Sequence, residues 1–171
     1  MMTVKPTERM PELRFKTLSG SPWPSADSKN KRFSMWVFYR GVHCSYCKKN
    51  IESLQQWLPE FQRRNVAVIA ISADSRNRAE QAKSEWKVTQ LELGYDLDIE
   101  SARRLGLYVS TKIREAEMDK FCEPGVFLVS PDHTLFTAWI QAYPHARPHF
   151  EEIIGCIDFV NEHKRPPRGN A

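Results

Sequence analysis

Apolar residues along this chain fall into short, nearly continuous runs and into stretches where they recur every three or four positions. The runs at 33–39 and 66–72 are rich in aromatic and β-branched residues, which predicts two buried strands. Between these runs, apolar residues recur with helical spacing from Cys44 to Phe61, which predicts an amphipathic helix. Pro59 lies inside that pattern, so we expect it to kink the helix or to end its first segment.

The rest of the chain predicts a further strand with its helices, a hairpin and a closing helix. The expected elements are, in order, a helix capped by Ser75 and running to Trp86, a strand at 91–95, a helix from Asp98 to Arg104 closed by Gly106, a hairpin with strands at 126–129 and 134–140, and a helix opened by Pro148. Residues 107–122 are rich in charge and predict a helical or irregular insertion. This order predicts an α/β protein with a thioredoxin-like fold, in which helices cover both faces of a central mixed β-sheet.

Composition divides the chain into three parts. Residues 1–31 are polar and carry four prolines, which predicts an extended N-terminal segment with one short strand at 13–16. Residues 32–163 hold the regular apolar patterns and form the predicted thioredoxin-like redox domain. Residues 164–171 contain a small basic cluster and predict a flexible, solvated tail, with nucleic-acid binding as the minor alternative.

Length and charge narrow the class of protein. The 171 residues suffice for one domain with a full core. The formal net charge of +4 comes from scattered basic residues, so neither nucleic acid nor a membrane is an expected partner. No apolar stretch has the length of a signal-peptide core or a membrane span, and we expect a cytoplasmic protein. Thiols are kept reduced there, so a close cysteine pair is expected to be catalytic or metal-binding rather than a structural disulfide.

Two of the four cysteines form such a pair, Cys44-Ser45-Tyr46-Cys47, between the first buried strand and the first helix. A cysteine at a helix N-terminus meets unpaired amide N–H groups and the positive end of the helix dipole, which lower its thiol pKa. Cys44 is therefore the predicted nucleophile, and Cys47, one turn later, is the predicted resolving thiol. Arg40 and His43 could add positive charge, although His43 could equally be a plain turn residue.

A zinc site is the weaker interpretation of this pair. Zinc would need two further ligands at short spacing, whereas Cys122 and Cys156 are single and far apart in the chain. His145 and His149 have helical spacing, but Pro148 separates them. We therefore expect neither a metal nor an organic cofactor. Cys156 lies on the apolar face of the last predicted helix and is expected in the core, and Cys122 is expected to be an ordinary loop cysteine.

The residues around the pair resemble a known family. The segment from Phe38 to Cys47, Phe-Tyr-Arg-Gly-Val-His-Cys-Ser-Tyr-Cys, is similar to the F-Y-R-G-x-x-C-P-x-C segment of peroxiredoxin-like proteins of the AhpC/TSA group. The stretches at 123–132 and 142–159 resemble later parts of the same family. The resemblance implies a thioredoxin fold with Cys44 as the attacking thiol, Cys47 as its partner and Pro124 as a cis-proline. A cis-Pro124 could also bring Cys122 near Cys44.

The chain departs from its relatives beside the motif. Peroxiredoxins carry Thr or Ser three residues before the attacking cysteine and a proline in that loop, whereas this chain has Gly41 and Arg40 there. The missing hydroxyl argues against efficient peroxide reduction. Thioredoxins carry Asp at the position of Phe38 and Trp at the position of His43, so the chain is not a standard thioredoxin. The Cys-Ser-Tyr-Cys motif also resembles glutaredoxins, but the chain is long for that family and has no Gly-Gly-Asp stretch after the hairpin.

These features favour an antioxidant enzyme, a thiol–disulfide oxidoreductase that uses the Cys44–Cys47 dithiol, with peroxide reduction as a second, open activity. The expected partners are a disulfide or peroxide substrate and a thioredoxin- or glutathione-type reductant. The oligomeric state stays open, with a homodimer as one option. The alternative is a non-catalytic redox-sensing or protein-binding module on the same fold, in which oxidation of the pair changes a docking surface.

Overall fold

The computed structural model describes residues 3–24 and 30–171, so the parts of the predicted N-terminal segment at 1–2 and 25–29 lie outside the described residues. In chain order, the strands and helices are β1 (Lys16–Thr17), β2 (Phe33–Phe38), α1 (Ser45–Arg63), β3 (Val66–Ile71), α2 (Arg76–Glu85), β4 (Glu92–Tyr95), α3 (Ile99–Arg104), β5 (Val109–Thr111), β6 (Lys120–Cys122), β7 (Gly125–Val129), β8 (Leu135–Ile140) and α4 (Phe150–His163). None of the helices in the described residues has the length and apolar character that crossing a membrane requires.

In the part of the chain that the structure describes, six strands form one mixed sheet in the order β1-β4-β3-β2-β7-β8. Strands β2, β3 and β4 run parallel, and β1, β7 and β8 pair antiparallel with their neighbours. Phe38, the last residue of β2, pairs with Ile71, the last residue of β3. The loops after these two central strands therefore leave the sheet at the same edge, which is where open α/β sheets commonly build their sites.

The core occupies both faces of this sheet because β2 is buried along its whole length. On one face, Met35 and Val37 pack with α1, α4 and the buried side of α2. On the other face, Trp36 and Phe38 pack with α3 and with the N-terminal segment around Met10. This arrangement confirms the predicted class, an α/β thioredoxin-like fold with a central mixed sheet and helices on both faces.

Helix α1 continues through Pro59 to Arg63, so this proline does not end the helix. A proline in a helix interior removes one backbone hydrogen bond and costs about 3 kcal/mol. Leu54, Leu58 and Phe61 are buried on either side of it, and burial of each such side chain contributes about 1.5–3 kcal/mol. Packing of the apolar face therefore outweighs the local cost.

Residues 107–122 include an antiparallel ribbon of β5 and β6, where a helical or irregular insertion was the sequence prediction. Phe121 and Cys122 are buried, whereas Lys120 is exposed. Three-residue strands are too short to show a period-two apolar pattern. Cys122 packs in the core with Phe38 and Ala102, and Phe121 packs against His43. These tertiary contacts, rather than any local pattern, accompany the extended conformation of the segment.

Candidate functional site

Cys44 lies at the N-terminus of α1, at the sheet edge where β2 ends. It is the N-cap residue of the helix, with φ −98° and ψ 105°, and its Sγ accepts a hydrogen bond from the backbone N–H of Cys47 at 3.2 Å. The turn before it is closed by a hydrogen bond from the Cys44 N–H to the Gly41 carbonyl at 3.1 Å. The helix thus presents one of its unpaired amide groups directly to the sulfur.

The two thiols of the pair have opposite acidities. The pKa of Cys44 is lowered to about 6, mainly by a hydrogen bond from the Cys47 side chain. The Cys47 amide, Arg147 and Arg40 lower it further, whereas burial raises it. The pKa of Cys47 is raised well above its ordinary value, mainly by burial, and this residue has no exposed surface. Both thiols are free, so the reduced pair holds a Cys44 thiolate beside a neutral Cys47 thiol at neutral pH.

Arg147 contacts the pair from the loop before α4, and no pattern in the sequence predicts this contact. Its Nη2 donates to Cys47 Sγ at 3.0 Å. Its Nη1 donates to Asn50 Oδ1 at 3.0 Å, and its Nε donates to the Pro144 carbonyl at 2.9 Å. Because Arg147 and Cys47 are 100 residues apart in the chain, no local spacing could have revealed the contact.

Arg40 lies beside the pair, but two buried carboxylates face its guanidinium. Its Nε is 3.3 Å from Glu123 Oε2, and its Nη2 is 3.8 Å from Glu117 Oε1. Backbone N–H groups of the preceding loop, at Ile113 and Arg114, donate to Glu117 and are the main cause of its lowered pKa. Arg40 therefore lies near Cys44, and its two carboxylate partners balance much of its positive charge.

His43 packs edge-to-face against the Phe121 ring, with the ring centroids 5.0 Å apart. Its Nδ1 lies 3.4 Å from Nη2 of Arg78. Burial lowers the pKa of His43, so the ring is neutral at pH 7. Of the two interpretations of His43, these contacts favour a turn residue over a source of positive charge.

Asp74, in the loop after β3, shapes the turn that carries Cys44 and was also missed. Its side chain is fully buried. Its Oδ2 accepts the Val42 N–H at 2.7 Å, and its Oδ1 accepts Nε of Arg78 at 2.8 Å. Arg78 in turn donates to the Ala116 carbonyl at 2.9 Å. This contact connects the turn at residues 41–44, called the cysteine turn below, to the loop between β5 and β6.

Pro124 is not a cis-proline. Among the described residues the cis peptide is Trp23–Pro24, and the Glu123–Pro124 bond is trans. The chain passes directly from β6 into β7 there: the Glu123 N–H donates to the Tyr108 carbonyl, and the Pro124 carbonyl accepts the Gln141 N–H at 3.0 Å. A continuous extended path needs no cis bond, since cis prolines typically serve tight turns.

The remaining two cysteines lie in β6 and α4. Cys122 is a buried residue of β6 rather than a loop cysteine, and its Sγ donates to the Tyr39 carbonyl at 3.7 Å. Burial raises the pKa of Cys122 to about 12, which leaves it unreactive. Cys156, in α4, was expected in the core. It packs against the edge of the core and is partly exposed.

A cleft of about 680 Å³ opens beside Cys44. Its walls are the cysteine turn, the β5–β6 ribbon and the loop before α4; the lining residues are Arg40, 43–46, 109–111, 113, 114, 116, 117, Phe121, Glu123 and 142–145. Tyr46 and Tyr143, both exposed, contact His145 at its rim. In residues 3–24 and 30–171, no cluster of three or more His, Cys, Asp or Glu could hold a metal ion.

Known structures resemble this chain over almost its full length. A cysteine-to-serine variant of peroxiredoxin 6 from Arenicola marina matches with a TM-score of 0.74 and 19% identity, over 95% of this chain and 76% of that one. Peroxidoxin BcpB from Mycobacterium tuberculosis matches with a TM-score of 0.70 and 13% identity, over 92% and 98%. Reduced Prx3 from Vibrio vulnificus in complex with H₂O₂ matches with a TM-score of 0.73 and 10% identity, over 92% and 99%. No curated protein matches the chain.

The thioredoxin-like sheet, with a low-pKa cysteine at a helix N-terminus, defines a thiol oxidoreductase of the peroxiredoxin-like class. The family model described as "AhpC/TSA family" matches residues 6–137, well over half of the chain. The chain belongs to the AhpC/TSA family, which confirms the family that the residues from Phe38 to Cys47 indicate.

Proposed function

We propose that this protein is a thiol–disulfide oxidoreductase in which Cys44 attacks the substrate and Cys47 resolves the intermediate. The observation that carries the proposal is the position of Cys44 Sγ at the N-cap of α1, where it accepts the Cys47 N–H and has a pKa of about 6. A thiol with this pKa is largely thiolate at neutral pH and is therefore the stronger nucleophile of the pair.

In the first step, the Cys44 thiolate attacks one sulfur of a substrate disulfide. The substrate S–S bond breaks, a mixed disulfide forms at Cys44, and the other substrate sulfur leaves as a thiolate. In the second step, the Cys47 sulfur attacks Cys44 Sγ, the substrate's second thiol is released, and the Cys44–Cys47 disulfide forms. Two electrons pass to the substrate, and a thioredoxin- or glutathione-type thiol restores them. Such a reductant implies a reducing compartment, and the cytoplasm is the one we propose.

Peroxide reduction is a second activity of the same thiolate. Attack on a peroxide oxygen breaks the O–O bond, converts Cys44 to a sulfenic acid and releases an alcohol or water, after which Cys47 forms the disulfide and releases water. The complex of Vibrio vulnificus Prx3 with H₂O₂ on the same fold supports this chemistry. Two features favour a disulfide substrate: Gly41 offers no hydroxyl to a peroxide, and the cleft of about 680 Å³ beside Cys44 falls in the range of sites that hold molecules much larger than a peroxide.

The test compares insulin-disulfide reduction and peroxide consumption, each above the reductant-only background. We expect the parent protein to turn over insulin faster than peroxide and Cys44→Ser to lose both activities. Cys47→Ser is expected to stop at the mixed disulfide between Cys44 and the substrate, before a first turnover is complete. Cys156→Ser, a partly exposed cysteine outside the pair, is the matched control and should behave like the parent.

Two results would change the assignment. Equal rates for Cys44→Ser and the parent protein would refute the enzymatic role of Cys44. A parent protein that turns over neither substrate, yet binds a protein only after the pair is oxidised, would instead support a redox-sensing module. Sedimentation of the reduced and oxidised forms would show whether a homodimer accompanies either state.

A further inference from the structure

In the second step of the proposed reaction Cys47 must attack as a thiolate, and the Cys44–Cys47 pair alone does not stabilise that charge. Cys47 has no exposed surface, and its thiol is less acidic than an ordinary cysteine, mainly because of burial. A neutral thiol attacks disulfides far more slowly than a thiolate. Some group must therefore stabilise negative charge on Cys47 when Cys44 is occupied by the substrate.

Arg147 is the cation that contacts this sulfur. Its Nη2 is 3.0 Å from Cys47 Sγ, a hydrogen-bond distance. The guanidinium also contacts α1 at Asn50, through its Nη1. Unlike Arg40, it makes no ion pair with a carboxylate among the described residues, so its charge is available to Cys47.

We propose that Arg147 activates Cys47 for the resolving step, by holding its guanidinium against the sulfur that must become negative. This inference rests on the proposed function, since it assigns a role within the same dithiol cycle. Attack of Cys47 on the mixed disulfide forms the Cys44–Cys47 bond and releases the substrate thiol, and the Cys47 proton leaves with that thiol. Arg147 stays protonated throughout, so it stabilises the thiolate and does not carry the proton.

The geometry also explains how the guanidinium keeps its place. The bond from Nε to the Pro144 carbonyl and the bond from Nη1 to Asn50 fix two sides of its plane. The remaining nitrogen then points at Cys47 without further ordering of the side chain, which makes the interaction more effective. The closed disulfide carries no charge on Cys47, so the contact is strongest in the reduced and reacting states.

A chromogenic aromatic disulfide, dithiobis(nitrobenzoate), separates the two steps in one experiment. In a Cys156→Ser parent, the first equivalent of coloured thiolate reports attack by Cys44, and the second reports closure by Cys47. We expect Arg147→Gln and Arg147→Met to slow the second phase about tenfold or more, the effect of losing a charged hydrogen bond, while the first phase changes much less.

The conservative variant distinguishes activation from simple anchoring of the loop. Arg147→Lys keeps the charge but loses the planar fork that reaches Pro144 and Asn50. We expect it to restore most of the second-phase rate and to keep the pH midpoint of that phase, whereas the midpoint rises in Arg147→Gln. Arg165→Gln, at the exposed end of the chain, is the matched control and should leave both phases unchanged.

The outcomes separate this inference from the proposed function. A second phase as fast as the parent's in folded Arg147→Gln or Arg147→Met overturns the role of Arg147. A second phase slowed equally by Lys, Gln and Met, with no change in pH midpoint, also overturns it and assigns Arg147 to loop structure. Failure of the parent to release even the first equivalent overturns the proposed function instead.

Discussion

Gly41 and Asp74 lie in direct contact beneath the turn that carries Cys44. Gly41 has a φ of +139°, and a Cβ at this position would lie 2.7 Å from Oδ1 of Asp74. The same carboxylate accepts the Val42 N–H at 2.7 Å. The turn is thus built around a buried carboxylate that leaves no room for a side chain at residue 41. The Thr or Ser that peroxiredoxins carry at this position is therefore incompatible with Asp74.

Substitution of Gly41 should destabilise the protein without adding peroxidase activity. We expect Gly41→Ala to lower the free energy of unfolding by about 2 kcal/mol, because its backbone conformation is strained for any L side chain. Gly41→Thr should be at least as destabilising, and its hydroxyl should not raise peroxide consumption. Urea denaturation and the peroxide assay measure the two effects.

Gly155 is the matched control because it lies within α4 and has nothing within 4 Å of its would-be Cβ. Gly155→Ala should stabilise the protein by up to about 1 kcal/mol, the helix-propensity difference. A Gly41→Ala protein that unfolds at the same urea concentration as the parent would contradict the contact described above.

The buried ion pair of Asp74 and Arg78 should matter more than an exposed pair on the same helix. Asp74 is fully buried, and Nε of Arg78 is 2.8 Å from its Oδ1. We expect Arg78→Gln to cost about 3 kcal/mol of stability, because it leaves a buried carboxylate without its cation. The cysteine turn should loosen with it, since the same carboxylate holds the Val42 N–H.

Arg76 and Glu80 form the control pair, because they have the same i,i+4 spacing but exposed side chains, and the same Arg→Gln change can be made in both pairs. Arg76→Gln should leave the thermal unfolding midpoint unchanged, since exposed pairs contribute little. Equal losses in Arg78→Gln and Arg76→Gln would show that burial of Asp74 does not make its ion pair special.

Much of the fold could be predicted because its signals are local. The run at 33–39 and the helical spacing after Cys44 appear as β2 and α1, and Ser75 and Asp98 are the N-cap residues of α2 and α3. The strand predicted at 13–16 is shorter and begins three residues later, at Lys16–Thr17. Each of these elements is specified by neighbouring residues whose periodicity or capping chemistry is visible in sequence.

The candidate site was only half predictable because its remaining members come from distant segments. The Cys44–Cys47 pair is a local motif, whereas Asp74 reaches the cysteine turn across 32 residues and Arg147 reaches Cys47 across 100. The trans bond at Pro124 likewise depends on the path from β6 into β7, and β6 has no signal in the sequence. Such contacts are fixed by tertiary packing, and one sequence without its relatives carries no signal for them.

The rate of Cys44 alkylation should depend on pH, and the pH midpoint should respond differently to substitution of Arg40 and of His43. With a pKa of about 6, the rate of Cys44 alkylation should rise with pH to half its maximum near pH 6 and level off above it, since only the thiolate reacts. Arg40→Gln should raise this midpoint, because it removes a nearby positive charge and leaves Glu117 and Glu123 unbalanced. His43→Asn should leave the midpoint nearly unchanged, because burial keeps the imidazole neutral.

Alkylation by iodoacetamide, quantified at the Cys44 peptide by mass spectrometry, measures the midpoint in each variant. Cys156, whose thiol pKa is raised by burial, provides an internal reference in the same samples, and its profile should stay the same in all three proteins. A midpoint near the ordinary cysteine value of ~8.5 in the parent would contradict the helix-end thiolate. A larger shift in His43→Asn than in Arg40→Gln would show that the imidazole, rather than the guanidinium, supplies the positive charge beside Cys44.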